Sequence, residues 1–356
     1  MICIVGAGLT GATIAEHFVR HGKRVVVIDK RSHIAGNCYD ELDHGIRVNR
    51  YGAHLFHTND KEVWDYVQKF ATWVPWYHRV VADVSGAFVP VPVNLETVAC
   101  LGAELPPAGA EEQAPPTNSE EIAVREIGQD LFEKLVRGYT IKQWDKEPRE
   151  LAPSVLARIS VRKSFDDRYF TDTYQALPLN GYTAFVQEML KGVEVRLNTA
   201  WEDVKGEGWE HVIFTGPIDG YFADAGLPPL EYRSIDFHWE VKEEAGYFQP
   251  NSVVNYPSPS TPFTRCVEYK HFLYQKSPWT ILCKETTTSS GDPYYPVPTK
   301  ANQELYEKYR SLAEGEKGVY FVGRLASYKY FNMDQAIRNA MDWFTCHAPT
   351  LCKSQS

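Results

Sequence analysis

Four apolar residues, Ile2 to Val5 (ICIV), run straight into Gly6-x-Gly8-x-x-Gly11, and no other feature of the chain narrows its fold so far. The apolar run reads as a buried strand. The segment that follows, Leu9 to His21, carries a helical pattern with Ile14, Ala15 and Phe18 as apolar positions. Lys23 to Ile28 (KRVVVI) then reads as a second strand of parallel-sheet character, closed by Asp29. In such a βαβ unit Gly6 permits the tight turn, Gly8 lets the backbone approach a pyrophosphate, and Gly11 lets helix and strand pack closely. The helix N-terminus attracts the negative charge. Asp29 stands where an acid can bind a ribose hydroxyl. The pattern predicts an α/β, Rossmann-like dinucleotide-binding domain.

Composition removes several function classes. Of 356 residues, 44% are hydrophobic and 23% charged, the proportions of a globular protein with ample core rather than a disordered one. The 46 acidic residues outnumber 37 Lys and Arg for a net charge of −9, and no Lys/Arg run offers a basic stripe to nucleic acid. One or two well-placed Arg side chains could still hold a phosphorylated small molecule. Cys3, Cys38, Cys100, Cys266, Cys283, Cys346 and Cys352 are scattered and form no CxxC pair, which predicts neither a disulfide framework nor structural zinc. The start MICIVGAGLTG has no basic n-region, and no stretch nears the ~18 apolar residues of a membrane span. A soluble, cytoplasmic protein without membrane partners is the expectation.

Further along, Gly102 to Glu121 is rich in Pro, Ala and Glu and reads as a loop or linker. Ile122 to Tyr139 has helical spacing, and Tyr232 to Tyr295 is strand-like with turn signals between the runs. Asn302 to Leu312 reads as a helix, Gly318 to Gly323 (GVYFVG) as a buried strand, and Met333 to Phe344 as a helix. A βαβ start and a βα finish around a β-rich middle suggest a nucleotide domain interrupted by insertions.

Lys30 to Asn37, with Gly36, resembles the extended fingerprint of FAD-containing oxidase-like proteins, and Gly323-Arg324 resembles their second flavin-contacting segment. More specific are YGAHLFHTND (51–60), GYTIKQW (138–144), RISVR (158–162), FDDRYF (165–170), TGPID (215–219), LEYRS (230–234), TRCVE (264–268), PYYP (293–296) and RLASYKY (324–330). In this order they resemble the bacterial UDP-galactopyranose mutases, over about residues 2 to 340.

That resemblance implies a discontinuous FAD-binding domain (1–72, 175–222 and 303–356). It also implies a small helical nucleotide-sugar-binding domain (93–163) and an antiparallel β-sheet domain (73–92, 164–174 and 223–302). It implies an isomerase that interconverts the pyranose and furanose forms of a nucleotide-linked hexose, by default UDP-galactose, through a bond between N5 of reduced FAD and the sugar C1. An external flavin reductant and a homodimer are implied too. Arg158 and Arg265 correspond to a diphosphate clamp, and Tyr169, Tyr295 and Tyr330 to hydroxyl donors on the same group. Tyr139 and Trp144 correspond to pocket aromatics, Asn94 to a position near the nucleotide, and His54 to a histidine beside the flavin. Gly6, Gly8, Leu9, Thr10, Gly11, Asp29, Lys30, Gly36, Asn37, Gly323, Arg324 and Met333 complete the cofactor set. His54 and His57 have no third ligand at a recognisable spacing, so no metal is expected.

Three departures bear on the substrate. Leu135-Val136 occupy a stretch where the bacterial pattern has aromatics that stack on uracil, the 102–121 loop replaces a longer helical section, and Asn332 stands where the family commonly has Asp. They point to a mutase for another nucleotide sugar, on a different base or a deoxyhexose. Two rivals remain at this stage: an FAD-dependent amine oxidase or desaturase, and a non-catalytic nucleotide-sugar binder.

Overall fold

The computed structural model describes residues 1–107, 115–157 and 161–352. Within them five parallel strands lie in the order Glu194–Arg196, Val25–Ile28, Ile2–Val5, His211–Phe214 and Val319–Phe321. The strand Val25–Ile28 is buried along its whole length, as helices on both faces require. Helix Leu9–Arg20 follows the first strand and packs against the final helix, Met333–Leu351. Phe18 meets Phe344 edge to face at 5.0 Å between them. The order of the strands turns about Ile2–Val5, with the next strand on one side and His211–Phe214 on the other. Ligands of such sheets bind where the order reverses, beyond the strand C-termini.

A second, seven-stranded sheet holds the β-rich middle of the chain. Its longest pairing joins Tyr232–Glu243 to Trp279–Thr288, and Arg265–Glu268 lies beside the latter. The sheet is antiparallel except where Val253–Asn255 runs parallel to Val80–Val84. Those two strands are distant in sequence, so no hairpin dictates their direction.

The helical part differs from its periodicity. A continuous helix over Ile122 to Tyr139 is expected, but Ser119–Leu131 is broken at Gly128, whose φ of 79° no helix accommodates. A π-helical turn, Phe132–Arg137, and a further helix, Gly138–Trp144, complete the path. Asn118 caps the first of these by accepting from Glu121 N–H at 3.0 Å, so the last residues of the expected linker are helical. Ile127, Leu131, Phe132, Trp144 and Leu151 form the core of this unit. No helix among the described residues is long and apolar enough to cross a membrane.

Asp60 ties two ends of the Rossmann part together. It caps helix Lys61–Val67 by accepting from Glu62 and Val63 N–H (2.9 and 3.1 Å) and pairs with Arg338 of the last helix at 2.7 Å. Asp60→Ala is expected to lower stability by about 1–2 kcal/mol, mostly through the lost cap, since the ion pair is partly solvated. The Arg338 bond holds the carboxyl below its usual pKa. This contribution is therefore full above about pH 4 and fades as pH falls through the depressed value. Equal urea midpoints for wild type and variant at neutral pH would remove the assignment.

Candidate active site

The C-terminal edge of the parallel sheet gathers the glycine motifs. Gly6 N–H donates to Ile28 O at 2.8 Å, which ties the first turn to the next strand. The Asp29 carboxylate accepts from the N–H groups of Ala7 (2.8 Å) and Arg31 (2.9 Å), fixing both turns from one side chain. A Cβ on Gly36 would stand 3.0 Å from the Gly8 Cα, so the two turns face each other closely. Leu9 and Thr10 are buried at the helix start, and a Cβ on Gly323 would fall 2.8 Å from Thr10 Oγ1. The early and late motifs therefore lie side by side. A slot that glycines keep open at a helix N-terminus fits a dinucleotide pyrophosphate. Asn37 Oδ1 accepts from Arg31 Nη1 at 2.9 Å, and Met333 is half-buried against the main core. Lys30 is exposed and pairs with Asp292 at 3.5 Å.

Next to this slot stands a wall of cations and phenols. Arg265 opens its strand and donates from Nε to Glu285 Oε2 at 2.6 Å across the ladder, where Glu285 is 2% exposed. Burial opposes the Arg265 charge, but Glu285, with Tyr139 and Tyr295, holds its pKa well above the ordinary value. Burial likewise raises the Tyr139 and Tyr295 hydroxyls, against the pull of Arg265, so both stay protonated. The Tyr295 and Tyr330 rings stack at 5.6 Å, and the Arg324 guanidinium lies 5.1 and 4.6 Å from their centres. Carbonyls of Tyr294 and Phe331 hold Arg324 in place.

His54 donates from Nδ1 to Gly52 O at 2.8 Å. Its enclosure pushes the pKa down to about 4, with Arg324 and Arg265 acting in the same direction against the Gly52 bond. The ring is neutral at pH 7, with its proton on Nδ1. Gly52 itself lies against Glu285 and Arg265, which brings the YGAHLFH segment to the cationic wall.

Arg158 lies outside the described residues. Asn94 is fully buried and its Oδ1 caps helix Leu95–Leu101, while its Nδ2 has no protein partner among the described residues. Trp144 is 7% exposed within the helical core, and Leu135 and Val136 are buried in the same cluster, leaving little surface to cover a base. Tyr169 is exposed on its ring and bonded through its N–H to His78 O at 2.7 Å. Asn332 is half-buried at the start of the last helix, its N–H donating to Gln335 Oε1 at 2.9 Å.

Two residues of this region escaped the sequence. His78 is 3% exposed, its Nδ1 lacks a protein partner among the described residues, and its ring centre is 5.8 Å from that of Tyr169. Burial pushes its pKa down to about 3, and Arg265 adds to the effect. A lone histidine in WYHRV has no spacing that marks it. Glu285 offered one weak signal, an acid on the inward alternation of a strand.

Known proteins reinforce the geometry. A model described as UDP-galactopyranose mutase matches residues 134–330, and one described as an NAD(P)-binding Rossmann-like domain matches residues 4–70. A probable UDP-galactopyranose mutase of Klebsiella pneumoniae is 38% identical over 96% of this chain and 92% of its own. The chain belongs to the UDP-galactopyranose mutase family. A dTDP-fucopyranose mutase of Escherichia coli is 36% identical over 96% of both chains. A crystal structure of reduced UDP-galactopyranose mutase superposes with a TM-score of 0.76 at 17% identity, covering 98% of this chain and 94% of that one, a likeness of fold. Membership in this mutase family makes the chain an isomerase of nucleotide sugars with a Rossmann-like α/β fold.

Proposed function

We propose that the chain is an FAD-dependent mutase that interconverts the pyranose and furanose forms of UDP-galactose with its flavin reduced. The observation that carries this is the wall of Arg265, Tyr139, Tyr295, Tyr330 and Arg324, set with neutral His54 beside the glycine slot. Gly6, Gly8, Leu9, Thr10 and Gly11 would seat the pyrophosphate of FAD and Asp29 its ribose. Lys30, Gly36, Asn37, Gly323, Arg324 and Met333 would line the remainder. When bound, reduced FAD supplies a nucleophilic nitrogen for the anomeric carbon, with no net redox change.

The chain's own part is to hold a departing diphosphate and keep it near. Arg265 and Arg158 supply forked cationic donors to it, and the hydroxyls of Tyr169, Tyr295 and Tyr330 donate as well. Neutral His54 adds no charge that would compete for the phosphates. Tyr139, Trp144 and Asn94 would border the nucleotide. The three-part division of the chain, a cytoplasmic homodimer, an external reductant, and movement of the segment before Arg158 to admit substrate belong to the same proposal.

Asn332 favours a second reading, a deoxyhexose on another base, and the E. coli relative is named for such a substrate. The test is conversion of UDP-galactofuranose and of the dTDP-fucose ring forms, resolved by anion-exchange chromatography, with the flavin oxidised or reduced. Conversion of the UDP sugar only under reduction supports the first reading. Conversion of the dTDP sugar alone selects the second, and Asn332→Asp should then shift the preference. Conversion of neither by reduced, flavin-loaded enzyme would sink both.

A further inference from the structure

Lys142 takes no part in the site as described, yet it is one of the most thoroughly bonded side chains in the fold. From helix Gly138–Trp144 its ammonium donates to the carbonyls of Tyr256, Ser258 (3.0 Å), Thr261 (3.0 Å) and Phe263 (2.9 Å). An ammonium has three protons, so this carbonyl cage saturates it without any carboxylate. The four acceptors belong to one loop, which joins Val253–Asn255 to the strand that Arg265 opens. The rings of Tyr256 and Phe263 close the base of that loop edge to face at 4.8 Å.

Helix and loop meet backbone to backbone. A Cβ on Gly138 would fall 2.2 Å from Pro257 O, so the first helical turn seats only because residue 138 has no side chain. A second cation reaches the other way. Arg233, 6% exposed on strand Tyr232–Glu243, donates from Nε to Gln143 O at 3.2 Å, a carbonyl left over at the helix C-terminus.

We propose that Lys142 is a positioning residue that locks the helix bearing Tyr139 and Trp144 to the hairpin bearing Arg265. The lock sets the separation between the aromatic and cationic sides of the substrate pocket, and in that sense it rests on the proposed function. Without the ammonium, the carbonyls it gathers repel one another and the loop is free to drift from the helix. A misplacement on the order of 1 Å costs an enzyme up to about a hundredfold in rate.

The test compares wild type, Lys142→Met, Lys142→Ala and Gly138→Ala in KM, kcat, flavin content and response to methylammonium. Both lysine variants are expected to keep full flavin while KM rises by about tenfold or more. Methylammonium should bring KM back in Lys142→Ala, where the vacated space admits it, and leave Lys142→Met and wild type unchanged. Gly138→Ala keeps the lysine but forces the same two backbones apart, so its KM should rise with no rescue. It carries the test should the lysine variants not fold. A wild-type KM in Lys142→Met or in Gly138→Ala overturns the lock. No turnover by reduced wild type overturns the proposed function and the lock together, whereas normal wild-type turnover with unresponsive variants overturns the lock alone.

Discussion

Arg265→Ala is expected to cut turnover by about a hundredfold to a thousandfold in kcat/KM, while the protein retains its flavin. The position of the Arg265 guanidinium is set by a buried acid, Glu285, at 2.6 Å. Preorganised charge of this kind is worth about 10²–10³ in rate when it faces a developing negative charge, and a diphosphate leaving group develops a large one. The single variant has a second consequence, because Glu285 would be left buried and unpaired, at a cost of about 3 kcal/mol in stability. The double variant Arg265→Ala, Glu285→Gln removes that stranded charge. It should recover most of the stability and none of the activity, which separates the clamp from the scaffold. Activity within tenfold of wild type in either protein would remove Arg265 from the mechanism.

Gly11→Ala is the other large effect, and it acts on the cofactor. An alanine Cβ there would lie 1.9 Å from Gly6 O, with Ile4 Cγ2 at 3.3 Å on the same side. Neither backbone nor strand can give way locally, so helix Leu9–Arg20 must move off strand Ile2–Val5. Overpacking of this sort costs about 1–3 kcal/mol, and here the displaced part is the helix N-terminus that faces the pyrophosphate slot. The expected result is a folded protein whose flavin is lost on gel filtration, with affinity weakened by about a hundredfold. Stoichiometric flavin absorbance in purified Gly11→Ala would show that the turn does not seat the cofactor as proposed.

Much of the candidate site could be read from the chain because its elements are local. The glycine turn, the acid that ends the next strand and the Gly323-Arg324 segment are each specified within a few residues, and the structure brings all three to one sheet edge. The helical section was harder. Periodicity over Ile122 to Tyr139 is satisfied by two helices and a π-helical turn as well as by one helix, and the break at Gly128 leaves the apolar spacing nearly intact. Leu135 and Val136 illustrate a related difficulty, since an aliphatic residue reads alike whether it covers a base or, as here, packs in a core.

By itself, then, the sequence determined the Rossmann-like start and finish, the order of the motifs and the family they belong to, since hydrophobic period and turn chemistry act between near neighbours. Only the tertiary structure decided that Arg265 pairs with Glu285, that His78 stands buried against Tyr169, and that Lys142 gathers four carbonyls of a distant loop. Those contacts depend on strand register and on how helix and sheet dock, and a one-residue slip in either would exchange every partner while leaving each local pattern unchanged.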